Sequence, residues 1–212
     1  MCRINLSNYD LIKNCRICNS TNLHLILDLG EQPPANSLIN KSQLDIIEPK
    51  FPLRLFWCGE CFLVQLLDIV NKEHLFKHYL YMTSASKPIV DHFKKYAVDI
   101  FNEFLNKQEN PFVVEIGSND GSLLKEFKKL GSSILGIEPA SNLAKLANDS
   151  DITTLNDFFS LNNAKKIAES KNASIVVANN VIGHIENLHE LMEGIKILIG
   201  AQGIFIFEVP YL

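Results

Sequence analysis

The sequence predicts an α/β protein in two parts: a small, mostly β module organised by cysteines, followed by an open parallel sheet with crossover helices on its faces. Three observations carry this. Two C-x-x-C pairs stand in the first third of the chain. From residue 112 onward, short apolar, β-branched segments alternate with helix-length amphipathic ones. At the first of these junctions, VVEIGSNDGSLLKEF (113–127), two glycines and an acid interrupt a buried strand where it turns into a helix.

The bulk properties exclude several classes. The chain has 212 residues, enough for one large domain or two small ones, and is 47% hydrophobic and 21% charged. A net charge of −4 gives no basic face for a nucleic acid. No apolar run reaches the ~18 residues that cross a bilayer. MCRINLSNYDLIKNC lacks the apolar core of a signal peptide. The expected setting is the cytoplasm, with reduced cysteines, no membrane and no nucleic acid.

Cys2 stands alone. The other cysteines form Cys15-Arg-Ile-Cys18 and Cys58-Gly-Glu-Cys61, with residues 19–57 between them. A C-x-x-C turn directs two thiolates toward one point, and two such turns close a tetrahedral zinc site. Buried thiols or a redox pair would explain one such turn; two in a cytosolic chain point to zinc. Four thiolates leave no open coordination position, so the metal is structural, held by Cys15, Cys18, Cys58 and Cys61.

Residues 10–70 read as this zinc-binding module. LHLILDLG alternates and ends in glycine, EQPPANSL is turn-rich, FPLRLFWC alternates into the second pair, and FLVQLLDIV is a further apolar run. Each C-x-x-C is expected on a hairpin knuckle. Residues 71–110 form a connecting segment: an aromatic, hydroxyl-rich loop, then a helix with Ile89, Phe93, Tyr96, Ala97, Ile100, Phe101 and Phe104 at helical spacing, closed by Asn110-Pro111. Residues 111–212 supply five strands (FVVEI, SILGIE, DITTLN, ASIVVAN, GIFIFEV) and the helices between them.

In an open α/β sheet, ligands bind beyond the carboxyl ends of the strands. Gly117 and Gly121 lie there, where glycine allows unusual backbone angles and close approach, ahead of a helix N-terminus with free N–H groups. A dinucleotide fingerprint would need a third glycine, and Asp120 would repel a pyrophosphate. An acid in the loop suits a ligand with positive charge. Glu138, at the end of the second strand in Ile137-Glu138-Pro139, suits two ribose hydroxyls. Together they fit S-adenosylmethionine. A glycine turn in a structural β-α unit, with Glu138 as a solvated strand end, is the competing reading.

CRIC, DLGEQPPAN, CGEC, YLYMTSAS, EIGSNDGSLL, GIEPA, NDFF, ANNVIGHI and FEVPYL occur in this order. In them the chain resembles, over its whole length, the sugar C-methyltransferases that act on nucleotide-linked keto-deoxysugars. EIGSNDG and GIEPA are general to class I methyltransferases; the cysteine module, the Y-x-Y-x-x-S-x-S loop and NNVIGHI are more particular. The resemblance implies a Rossmann-like class I methyltransferase domain, its parallel sheet incomplete at strands 1–5, preceded by the zinc module.

The resemblance also implies roles. Glu115, Gly117, Ser118, Asn119, Asp120 and Gly121 wrap the methionine moiety of the donor. Glu138 and Pro139 meet the ribose, and Asp157 and Phe158 flank the adenine. Asn179 and Asn180 line the transfer cleft. Tyr79 or Tyr81 reaches the sugar, the choice being open against simple packing of both rings. Ser84, Ser86 and His92 lie near substrate phosphate or cofactor. His184 is the nominated catalytic histidine, with a packed, hydrogen-bonded histidine as the alternative, and His189 reads as helix surface. A base removes the proton next to the keto group, and the enolate carbon takes the methyl group.

In the family, FEVPYL precedes a segment that supplies the base and then a C-terminal domain. The expectation is therefore of a truncated chain. It would be half of an enzyme whose C-terminal half is a separate chain, a zinc- and donor-binding remnant, or a small methyltransferase with another acceptor.

Overall fold

A computed structural model describes residues 9–210; Cys2 and the last two residues of FEVPYL lie outside them. The chain divides into two units, Met1–Leu80 and Tyr81–Leu212.

In the first unit, β1 (Tyr9–Leu11) pairs antiparallel with β5 (Asp68–Val70). β2 (Leu23–Gln32), β3 (Phe51–Cys58) and β4 (Val64–Leu66) form an antiparallel sheet in the order β2-β3-β4. FLVQLLDIV is thus two strands in two sheets, divided at the buried Leu67. A short helix, α1 (Lys72–Phe76), is capped by the Asn71 side chain. The second cysteine pair turns β3 into β4, as a hairpin knuckle should. The first does not: β1 pairs with β5 rather than β2, so Cys15–Cys18 is a turn between strands of different sheets.

Very little apolar side chain is buried in this unit. Of its described hydrophobic residues only Cys15, Phe51, Cys58 and Leu67 are buried, and Leu25, Ile26, Leu27 and Leu29 of β2 are about half exposed. The alternation of LHLILDLG does not lay one face against a core; register shifts between Leu25 and Leu27 and between Asp28 and Glu31 break it. A bidentate ion pair ties β3 to β5: Arg54 Nε and Nη2 donate to Asp68 Oδ2 and Oδ1 at 2.9 and 2.5 Å, with the Asp68 side chain 1% exposed.

In the second unit a single 3-10 turn at Thr83–Ala85 leads into α2 (Lys87–Ile100), which runs on through a wider turn at Phe101–Leu105 and ends before Asn110-Pro111. Five parallel strands follow: β6 (Phe112–Ile116), β7 (Ser133–Ile137), β8 (Thr154–Leu155), β9 (Ile175–Asn179) and β10 (Ile204–Glu208). Their order is β10-β9-β6-β7-β8, with β6 buried throughout. DITTLN contributes only two paired residues, Thr154 and Leu155. The crossovers are α3 (Ser122–Lys129), α4 (Ser141–Asp149), α5 (Leu161–Ser170) and α6 (Leu188–Ile199).

Two apolar layers cover the sheet. One joins Phe93, Ala97 and Ile100 of α2 to Leu123, Leu124 and Phe127 of α3, over Val113, Ile175 and Val177. The other joins Ala164 of α5 to Leu191, Ile195 and Leu198 of α6, over Val114, Ile116, Val176 and Ala178. Alternate strand residues therefore serve opposite faces, both buried, which is why the strands read as unbroken apolar runs. Among the described residues no helix is long and apolar enough to cross a membrane.

Candidate functional site

The cysteine turns share one backbone design. In the first, Cys15 N–H donates to Ser20 O and Cys15 O accepts from Asn19 N–H, at 2.8 and 3.0 Å. In the second, Cys58 N–H donates to Leu63 O and Cys58 O accepts from Phe62 N–H, at 2.9 and 3.0 Å. The residue after each second cysteine, Asn19 or Phe62, has positive φ, at 61° and 64°. The turns interleave: Cys15 Sγ lies 3.5 Å from Cys61 Sγ, and Cys18 Sγ 3.5 Å from Cys58 Sγ. All four sulfurs are within 4.8 Å of one another.

That is too far for disulfides. It fits thiolates around one zinc ion, where Zn–S bonds of about 2.3 Å put the sulfurs about 3.8 Å apart. Gln65, itself buried, donates from Nε2 to Cys15 Sγ at 3.3 Å and accepts from Arg16 N–H through Oε1, orienting a ligand as outer-shell amides do. The four cysteines fit a closed structural zinc site.

The second site lies at the carboxyl ends of β6, β7 and β9. Gly117 has φ of 70° and Gly121 has φ of 76°. A Cβ on Gly117 would meet Val181 Cγ2 at 2.8 Å, and one on Gly121 would meet Ile152 Cγ2 at 2.7 Å. The glycines are thus required by the protein's own packing as well as by the turn.

Glu138 is buried, and both of its oxygens are engaged: Oε2 accepts from Asn119 N–H and Oε1 from Ala140 N–H, each at 2.8 Å. It bridges the glycine loop to the start of α4. Burial raises its pKa, against the lowering effect of those two N–H groups. Pro139 and Glu138 offer their carbonyls to Asn156 Nδ2. Asp157 is exposed and Phe158 half-buried beyond β8.

Glu115 lies in a dry place. It is fully buried, its Oε2 has no hydrogen-bond partner among the described residues, and burial with the nearby Glu138 and Asp120 charges pushes its pKa well above the usual carboxylate range. Ser118 Oγ and Asn179 Nδ2 are likewise buried without a partner. The folded state therefore holds the Glu115 proton at a pH where the unfolded chain has released it. Stability from this group is complete below the unfolded value of about 4.5 and falls as pH rises through the folded one. Glu115→Gln is expected to melt above the parent at pH 7, in the absence of ligand, and the two melting curves to converge toward pH ~4.5. A gap independent of pH would refute the assignment.

Asn119 and Asp120 are spent on the protein. Asn119 Oδ1 accepts from Thr83 N–H at 2.9 Å, and its Nδ2 donates to Tyr81 O at 3.1 Å. Asp120 Oδ2 accepts from Ser84 N–H at 2.8 Å; Oδ1 accepts from Ser122 Oγ and N–H, at the first residue of α3, at 2.6 and 3.2 Å. Tyr81 thus belongs to a segment tied to the glycine loop. Tyr79 lies in the other unit, where its hydroxyl accepts from Asn36 Nδ2 at 2.9 Å.

At the ends of β9 and β10, a polar cluster gathers residues distant in sequence. His92 Nε2 pairs with Glu208 Oε2 at 2.8 Å, and Asn180 Nδ2 donates to Glu208 Oε1 at 3.1 Å. Tyr96 Oη donates to Asn179 Oδ1 at 3.2 Å, and its pKa is pushed up to about 12 by burial and by the Glu208 and Glu115 charges. Glu208 and Tyr96 were not among the residues singled out as functional in the sequence. Tyr96 was hidden inside an apolar helical stripe, and the one signal for Glu208 was an acid closing an apolar strand. His184 sits on a turn at Ile182–His184 with its backbone N–H on Val181 O; it is exposed, and the part that is covered lowers its pKa. His189, on the first turn of α6, is exposed. Ser86 precedes α2 and Ser84 is exposed.

A family described as "Methyltransferase domain" matches residues 90–212, more than half of the chain. The chain belongs to this methyltransferase family. Residues 15–76 match a second family, described as "Putative zinc binding domain", which takes in all four clustered cysteines. A curated relative, the C-methyltransferase NovU of Streptomyces niveus, is 33% identical over 202 residues, covering 95% of this chain and 48% of its own length. The chain therefore spans about half the length of that relative. Among solved structures, Streptomyces venezuelae DesVI is 15% identical with a TM-score of 0.48, over 63% of this chain and 59% of that one. The plantazolicin methyltransferase BpumL in complex with SAH is 16% identical with a TM-score of 0.48, over 58% and 48%.

Proposed function

We propose that this chain carries the donor site of an S-adenosylmethionine-dependent C-methyltransferase. Its acceptor would be the carbon beside the keto group of a nucleotide-linked keto-deoxysugar. The observation that carries the donor reading is the set of buried, unpartnered polar atoms at the ends of β6 and β9: Glu115 Oε2, Ser118 Oγ and Asn179 Nδ2. Buried polar groups are normally satisfied, so three together mark where a polar ligand belongs. Carbon as the acceptor atom is supported by the name of the relative that aligns with 95% of this chain. The sugar is supported by the YLYMTSAS and ANNVIGHI motifs.

The donor supplies a methyl group on a sulfonium, electrophilic enough for a carbanion. The residues of this chain hold and orient it. The loop from Gly117 to Gly121 takes the methionine part, with Glu115 beneath it. Glu138 keeps a lone pair on each oxygen for ribose hydroxyls, and Pro139 shapes that turn. Asp157 and Phe158 take the adenine edge and face. Asn179 and Asn180 line the cleft toward the acceptor. Tyr81 and His184 face the sugar. His92, oriented by Glu208 as a base is by a carboxylate, is a second imidazole at the same strand ends.

Calorimetric titration with S-adenosylmethionine is the test, on chain whose zinc content has been confirmed. Binding is expected in the micromolar range. In any turnover, by this chain alone or with a separately supplied C-terminal half, a 13C-methyl donor and a nucleotide-linked 4-keto-deoxysugar are expected to place the label on carbon. Absence of donor binding by a folded, zinc-loaded chain would refute the donor site. Binding with label on oxygen or nitrogen of another acceptor would refute the sugar assignment alone.

A further inference from the structure

We propose that Asn119 and Asp120 act as a latch for the strap formed by residues 81–84. On this view the acid of the glycine loop is a positioning residue for Tyr81 and Ser84 and does not contact the donor's cation. The inference rests on the donor site proposed above and refines it.

Three hydrogen bonds make the latch. Asn119 uses both ends of its amide: Oδ1 takes Thr83 N–H and Nδ2 reaches Tyr81 O. Asp120 Oδ2 takes Ser84 N–H. A carboxylate accepting backbone N–H groups makes the strong, charge-assisted kind of hydrogen bond. The other oxygen, Oδ1, is taken up by Ser122 at the head of α3. Asp120 is 8% exposed, so little of it is left to meet a ligand.

Asn119 stands at φ of 52°, where asparagine is one of the few side chains tolerated at modest cost. That conformation goes with its 119–120 loop amides facing acceptors: its own N–H meets Glu138 Oε2, while Asp120 N–H meets Asn119 Oδ1. The same two residues therefore join the strap, the glycine loop and the ribose-side acid. The strap is buried at Thr83 and open at both ends, with Tyr81 42% exposed and Ser84 exposed. Held by backbone alone, Tyr81 and Ser84 leave their side chains available beside the donor loop.

The latch and the ligand role predict opposite behaviour for conservative variants. Amide hydrogen exchange on the full zinc-loaded chain reads the latch without any donor. Asp120→Ala is expected to speed exchange at Ser84 at least ~10-fold while Val113–Glu115 of β6 stay protected. Asp120→Asn keeps an acceptor oxygen and is expected to retain most of that protection. S-adenosylmethionine affinity should follow the same order, weakened strongly by Asp120→Ala and only slightly by Asp120→Asn. Asn119→Asp keeps the acceptor for Thr83 but sets an oxygen against Tyr81 O, and should free the Tyr81 end of the strap while Thr83 stays protected. Unchanged Ser84 exchange in Asp120→Ala would overturn the latch. So would an Asp120→Asn chain that keeps its protection yet loses donor affinity as fully as Asp120→Ala, since that loss marks a charge used on the donor. Because exchange is measured without donor, failure of the latch reads separately from failure of the donor site.

Discussion

Cys58→Ser, or removal of the metal by a chelator, is expected to unfold the residue 9–80 unit and leave the 81–210 unit folded. The reason is how little else holds the first unit. Its buried apolar residues are Phe51 and Leu67 beside two of the cysteines themselves, and most of β2 is open to solvent. The Arg54–Asp68 pair and short β ladders remain, and a buried ion pair is weak evidence of net stability. Structural zinc contributes on the order of 10–16 kcal/mol of apparent free energy in small thiolate sites, comparable to or larger than the ~5–15 kcal/mol that keeps a typical domain folded. The second unit has both of its apolar layers within itself. Elemental analysis should give one zinc per chain, falling to near zero in Cys58→Ser. Limited proteolysis should then cut between residues 9 and 80 and spare the rest. A metal-free chain with an intact, protease-resistant first unit would show that the cluster is not structural.

The second large effect is expected at Glu138. Glu138→Gln should weaken S-adenosylmethionine binding roughly 100-fold, since hydrogen bonds from hydroxyls to a charged group are worth about 1.5–3 kcal/mol each. The parent should also show a pH dependence that the variant lacks. Burial raises the Glu138 pKa above its usual 4.5, so in a titration downward from pH 7 affinity falls as the pH passes through that raised value and the free site takes up a proton; Gln has no proton to gain. Gln keeps one acceptor oxygen for the Asn119 or Ala140 N–H, which Ala would not, and so limits collapse of the loop. Equal affinity in parent and variant across this range would remove Glu138 from the donor site.

Short apolar, β-branched runs and period-3.6 patterns placed the five strands and the α-helices of the second unit, because both faces of its sheet and one face of each helix are buried within the same stretch of chain. The four clustered cysteines were legible for a related reason: their chemistry is carried by a short, rigid spacing. Glycine at 117 and 121 was legible as a turn, but what crowds it, Val181 and Ile152, was not. Contacts between residues far apart leave no local mark. The pairing of β1 with β5, the use of Asn119 and Asp120 on Thr83 and Ser84, and the union of His92 with Glu208 across 116 positions are of this kind. The sequence by itself determined the order of strands and helices in the second unit, the four clustered cysteines and the strand end at which the donor site is proposed. Only the tertiary structure decided which polar groups are already satisfied by the protein and which remain for a ligand, because satisfaction depends on partners that folding alone brings within hydrogen-bond distance.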